Sequence, residues 1–391
     1  MLSLLQKQFM AKVKLSDREI EELYRKGSYN LTQEKNDFLL PQIQDFVREK
    51  RWMNLNPEYQ RRMIWDVNRK SLFIESLLMN IPIPPVFLFE WDYSIYEVMD
   101  GQQRLSTIIA FYEYLFRLKG LEKWSVLNGR TYSECPPLIR RGLDRRRISA
   151  TVVLAESVFE KNDQESMHQL VFERLNTGGM KLNPQELRNC LFSGSFNDLI
   201  LELAGNKLFN DTWGIPRYED NIIDGEVNAK LSSNTYYKRM VDCEIVLRFF
   251  AFRQKKYVRG SIKKILDNCM IRNRNAVESE IDSLRQRFIS RLHGAYEIFG
   301  TDTFIIKDNN GKPKRSLPMF DAVMVAVDQN YDSLDQLVLH RESIKDLLKE
   351  RIKDQEYFEL LTGKVGTAKS IIERAEAVSE IFKTSLTEGN V

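Results

Sequence analysis

The sequence predicts an α+β protein, with a small mixed β-sheet in an N-terminal domain followed by a mainly α-helical C-terminal domain. Three observations lead there. Short apolar runs bounded by proline and glycine alternate with helix-period stretches through residue 154. Beyond residue 163 the strand signal fades, and amphipathic stretches spaced by three and four take over. The chain's 391 residues also exceed one ordinary core. The expected divisions are a helical lead-in at 1–34, the sheet domain at 35–195 and the helical domain at 196–391.

The elements follow in order. Residues 1–40 read as a helical lead-in and a loop. Pro41 opens a helix towards Trp52, in the first-turn place proline favours. An extended stretch with a turn at Asn56-Pro57 comes next. Asn68 is a candidate cap for a helix carrying Leu72, Phe73, Ser76, Leu77 and Met79, which must stop before Pro82. Pro85 to Phe89 and Ile95 to Met99 read as strands. Leu105 to Phe116 reads as a helix and Ile148 to Leu154 as a third strand. The later helices are expected at 166–175, 184–192, 196–203, 282–299, 319–327, 333–353 and 368–382.

Composition narrows the class. Hydrophobic residues make up 43% and charged residues 29%, a globular balance. No run reaches the roughly 20 apolar residues of a membrane helix, and the apolar start is interrupted at Lys7, too early for a signal peptide. A cytoplasmic protein without a membrane partner is expected. Cys135, Cys190, Cys243 and Cys269 lack zinc-site spacing and read as scattered buried thiols. A net charge of +3 confines any nucleic-acid contact to local patches.

The strongest chemical signal is a strand, then Asp100-Gly101-Gln102-Gln103-Arg104, then a helix. A helix start leaves backbone N–H groups unpaired and partly positive. Gly101 lets the backbone approach a ligand. Arg104 can fork onto phosphate oxygens. Gln102 and Gln103 can orient a water or bond ligand edges, and Ser106 and Thr107 add hydroxyls. Together they form a candidate phosphate cradle, which competes with the plainer reading of a helix start bearing a surface arginine.

Three segments, NPEYQRRMIW, SLLMNIPIPPVFLF and YEVMDGQQRLSTIIAFY, together resemble the N-terminal domain of the GmrSD-type restriction proteins. The segment from Phe172 to Gly179, continuing through Leu182 and Pro184 to Asn189, extends the likeness, which spans roughly residues 35–250. The resemblance implies a ParB- and sulfiredoxin-like fold and a nucleotide-binding, NTP-hydrolysing role in bacterial anti-phage or restriction-type defence. Asp100, Gln103 and Arg104 would be catalytic. Gln60, Arg61, Gly101, Gln102, Ser106, Thr107, Asn176, Glu186 and Arg188 would bind the nucleotide. Asp100 or Glu186 would hold a magnesium ion bridging phosphates.

The chain departs from that family in its histidines. His168, His293 and His340 lie far apart in no metal-binding spacing, so a His-Asn-His nuclease domain is not expected, and cutting is either absent or supplied by a separate partner chain. Two basic clusters remain. One holds Arg140, Arg141, Arg145, Arg146 and Arg147 with Asp144 among them. The other holds Arg253, Lys255, Lys256, Arg259, Lys263 and Lys264 around Tyr257 and no acid, which makes it the better DNA-contact candidate, while a solvated helix face is the plainer reading of both. A ParB-like DNA-binding adaptor without turnover and a carboxylate-metal nuclease are the competing functional readings.

Overall fold

The computed structural model describes residues 16–25, 31–55, 65–154, 161–175, 183–223, 226–307, 312–362 and 366–388. They form two compact units that part between Leu175 and Asn183.

The first unit runs α1 (Asp17–Arg25), β1 (Gln33–Leu39), α2 (Leu40–Arg48), β2 (Met53–Asn54), α3 (Val67–Leu78), β3 (Val86–Asp92), β4 (Ile95–Asp100), α4 (Gln102–Tyr112), α5 (Pro137–Asp144), β5 (Arg147–Leu154) and α6 (Lys161–Leu175). The five strands make one mixed sheet, in the order β1-β5-β3-β4-β2. β3 and β4 form an antiparallel hairpin, β5 returns parallel to β3, and β1 pairs antiparallel to β5. Alternation sets the faces. Val86, Leu88, Val98, Ile148, Ala150 and Val152 join one core with Leu40 and Ile43 of α2, Ile74 and Leu77 of α3, and Ile108 and Phe111 of α4. Burying each such large side chain is worth about 1.5–3 kcal/mol. Phe89 and Trp91 serve a second cluster, where His168 of α6 packs 4.9 Å from each ring. The Trp91 indole donates to Glu97 Oε2 at 2.7 Å.

Several expectations are corrected here. β1 lies where a lead-in and loop were expected. Its polar sequence shows no alternation, because it is an edge strand whose exposed positions are charged or polar. α2 stops at Arg48, short of Trp52. The cap of α3 is Asp66 rather than Asn68, and its side chain accepts from Arg69 N at 2.8 Å. α4 ends at Tyr112 rather than Phe116, because Tyr114 takes a φ of +62°. α5, with proline in its first turn, was not anticipated. The Asn56-Pro57 turn lies outside the described residues.

The second unit is mainly helical: α7 (Pro184–Leu191), α8 (Ser195–Ala204), α9 (Lys207–Trp213), α10 (Val241–Phe252), α11 (Ile262–Asn273), α12 (Glu278–Phe299), α13 (Leu317–Gln329), α14 (Leu334–Leu339), α15 (Arg341–Arg351), α16 (Gln355–Thr362) and α17 (Ala368–Glu388), with one-turn helices between α9 and α10. The expected single helix at 333–353 is thus two, α14 and α15. Two small hairpins, Ile222–Ile223 with Glu226–Val227 and Ile305–Lys307 with Pro313–Arg315, are the sheet structure among its described residues. Its core is aromatic: Phe249 meets Phe288 edge-on at 5.6 Å, and Phe304 meets Phe320 at 4.9 Å. Arg248 pairs with the fully buried Asp321 inside that core. The sheet domain was expected to run to residue 195, but α7 packs on α10 and α11 of this second unit. All four cysteines are buried and unbridged. Among the described residues no helix is long and apolar enough to cross a membrane.

Candidate functional site

The turn between β4 and α4 is built around Gly101. Its φ is +97°, in the left-handed region that favours glycine. There is also no room for a side chain, since a Cβ would stand 2.4 Å from Val86 Cγ1. Glycine therefore lets β4 pass directly into α4 beside the start of β3. Gly101 is the N-cap and has no side chain with which to cap the first turn, so the first backbone N–H groups of an eleven-residue helix have no cap from that residue.

Arg104 folds back under this turn. One guanidinium nitrogen, Nη1, donates to the Pro84 carbonyl. The other, Nη2, donates to Pro85 O at 3.4 Å and to Asp100 Oδ2 at 3.0 Å. Burial pulls the Arg104 pKa below its ordinary value, and the Asp100 charge opposes that shift. The arginine side chain is only 13% exposed, whereas Asp100 is 60% exposed and faces solvent. Gln103 Oε1 accepts from Trp65 N at 3.1 Å, and Gln102 Nε2 donates to Val98 O at 3.3 Å. Asp100, Gly101, Gln102, Gln103 and Arg104 are thus gathered on one turn. The two prolines ahead of β3, Pro84 and Pro85, supply the carbonyl acceptors that hold Arg104.

Other nominated residues fall elsewhere. Thr107 is buried and donates to Gln103 O at 2.7 Å, so its hydroxyl is used inside the helix. Ser106 lines a groove of about 490 Å³ with Arg48, Arg51, Asn54 and Glu113, and among the described residues no other nominated one lines it. Glu186 is the N3 residue of the α7 capping box: its Oε2 accepts from Asn183 N at 2.6 Å while Asn183 Oδ1 accepts from Glu186 N at 2.9 Å. Its other oxygen stands 3.3 Å from Arg239 Nη1 but out of hydrogen-bond alignment. Burial pushes the Glu186 carboxyl above its ordinary pKa, against the Asn183 N–H and the Arg239 charge. Arg188 is buried in the second unit, with Nε 2.7 Å from Asp267 Oδ1 and Nη1 3.2 Å from Glu244 Oε2. Both residues are occupied within the second unit's own packing. Gln60, Arg61 and Asn176 lie outside the described residues.

Among the described residues no three His, Cys, Asp or Glu side chains gather as a metal site. The exposed Asp100 carboxylate at the helix start fits magnesium held by one carboxylate together with substrate phosphates.

Residues 42–193 match the family model of the GmrSD restriction endonuclease N-terminal domain. This stretch is similar to a GmrSD N-terminal domain. The match takes in β3, β4, the Gly101 turn and α4, and its end at residue 193 includes α7. The GmrSD match therefore extends past the point where the two units part. Neither a curated protein nor a solved structure gave a significant match to the chain.

Proposed function

We propose that this chain is a nucleotide-binding, NTP-hydrolysing sensor subunit of a bacterial restriction-type or anti-phage defence system, whose nuclease or other effector is a separate chain. The observation that carries the reading is the Gly101 turn. A helix start without an N-cap side chain, an obligate glycine beside it, an exposed carboxylate and a largely buried arginine stand within residues 100–104. Phosphate oxygens would take the first-turn N–H groups and the helix dipole. Asp100 would hold magnesium, which would bridge the phosphates and offset their charge. Gln103, anchored through its carbonyl oxygen to Trp65 N, keeps its amide NH₂ for a ligand or an attacking water. Arg104 holds the turn to Pro84 and Pro85 and adds positive charge beneath it.

The non-hydrolysing adaptor reading has one observation in its favour, because the Arg104 guanidinium is committed to three oxygens of its own chain. The carboxylate-metal nuclease reading is weakened, since Glu186 is fixed in a capping box. Incubating the purified chain with each of the four NTPs and magnesium separates these readings. Release of phosphate that is lost in Asp100→Ala supports hydrolysis at this turn. Binding without release favours the adaptor.

A further inference from the structure

Between Arg253 and Arg274 the sequence holds eight Lys or Arg residues and one acid, Asp267. Asp267 is already paired with Arg188 at 2.7 Å. Sequence reasoning nominated Arg253, Lys255, Lys256, Arg259, Lys263 and Lys264 here, and the fold changes that membership. Lys255 is paired with Glu376 at 2.6 Å. Arg272 of α11 arrives over the Tyr257 ring, 3.9 Å from its centroid, and Lys256 lies 4.7 Å from the same centroid. Arg287 and Arg291, one turn apart on α12, both donate Nε to Asp328 Oδ1, at 2.7 and 2.8 Å. Arg291 also lies over Tyr331 at 3.5 Å.

Arg253, at the C-cap of α10, joins this group half-buried. Burial and then the nearby Arg287 charge pull its pKa down; Asp328 opposes and Arg291 adds to the fall. Two guanidinium groups therefore share the Asp328 carboxylate, with the Arg253 charge close by. Excess charge of one sign, partly withdrawn from water, is costly until an opposite charge arrives. Arg272 of α11 and Lys256, both at the Tyr257 ring four residues beyond Arg253, add further cations.

We propose that this face of the second unit, formed by Lys256, Tyr257, Arg272, Arg253, Arg287 and Arg291, binds the phosphate backbone of DNA. A lone phosphate would need only the trio around Asp328. The succession of cations from three helices and a turn, with an exposed ring among them, fits repeated phosphates instead. Arginine forks suit phosphate oxygens better than point charges do. The contact is independent of the Gly101 turn and stands whether or not that turn binds nucleotide.

The test is fluorescence anisotropy of the full chain with a labelled duplex of about 20 base pairs across a salt series. Wild type binds, and Arg253→Gln with Arg272→Gln binds ~10-fold or more weakly with a salt slope reduced by about two. Lys256→Gln with Arg272→Gln, which changes only exposed positions, gives the same direction if the first pair fails to fold. Lys349→Gln, on α15, retains wild-type affinity. The proposal is overturned if wild type does not bind at low salt, if both double variants bind like wild type, or if poly-glutamate displaces the duplex as well as unlabelled DNA does.

Discussion

Arg104 Nη2 stands 3.0 Å from Asp100 Oδ2, one helical turn apart across Gly101. The pair closes the turn like a bracket, because the same guanidinium reaches on to the carbonyls of Pro84 and Pro85. The start of β3, the end of β4 and the start of α4 are thereby held by one side chain. An arginine so placed shapes the site first and lends it charge second.

Gly101→Ala should therefore damage the fold as well as the site. Its Cβ would meet Val86, and its φ of +97° is unfavourable for any L side chain. The expected loss is about 2–5 kcal/mol of stability, read from urea unfolding of the first unit. An unchanged midpoint would show that the turn relaxes without cost.

Glu75 anchors the segment after α4. Its carboxylate accepts from Lys123 N and Trp124 N at 2.7 Å each and from Glu122 N at 3.3 Å. Burial pushes its pKa up, but these three N–H donors outweigh burial and hold it below the ordinary 4.5. A lowered folded pKa stabilises above the unfolded value, and the contribution is lost as pH falls through the folded one. Glu75→Gln should cost about 1–3 kcal/mol near neutrality, and the difference from wild type should shrink below pH 4.5. Thermal melts across pH 3–7 check the sign; a gap that widens in acid would refute the assignment.

Arg188 should matter for stability rather than for nucleotide. Arg188→Ala leaves Asp267 without the Arg188 guanidinium and Glu244 with only Arg248, 3.9 Å away. About 3 kcal/mol should be lost, with nucleotide affinity unchanged wherever the variant remains folded. Weaker nucleotide binding at full stability would return Arg188 to the site.

The purified chain should leave plasmid DNA uncut with magnesium or manganese, with or without NTP. Cleavage that vanishes in Asp100→Ala would instead make Asp100 a nuclease ligand.

How much of this could be seen in the sequence depended on the range of the contacts. The β4, Gly101, α4 passage was legible because its signals are local: an apolar run, a glycine and a helical stripe. Thr107 was misjudged by counting residues from the turn, for helical periodicity puts it with Leu105, Ile108 and Phe111 on the buried side. β1 was missed because an edge strand needs few apolar residues, and only Phe38 and Leu39 mark it. Glu186 and Arg188 were placed by family likeness. Their partners Arg239, Glu244 and Asp267 lie 53, 56 and 79 residues further along, and no local pattern reveals those pairings. The Arg253, Arg287 and Arg291 trio was half legible for the same reason, since α12 and Asp328 come from later in the chain.

The central claim is that the Gly101 turn holds nucleotide phosphate, and calorimetric titration of the four NTPs with magnesium into wild type, Arg104→Lys and Arg104→Ala tests it most directly. The account predicts saturable binding of at least one NTP to wild type. It predicts severe loss in Arg104→Ala and partial recovery in Arg104→Lys, because an ammonium cannot reproduce the fork onto Pro84, Pro85 and Asp100. Equal affinity for wild type and a folded Arg104→Ala, or no binding of any NTP to wild type, would contradict it.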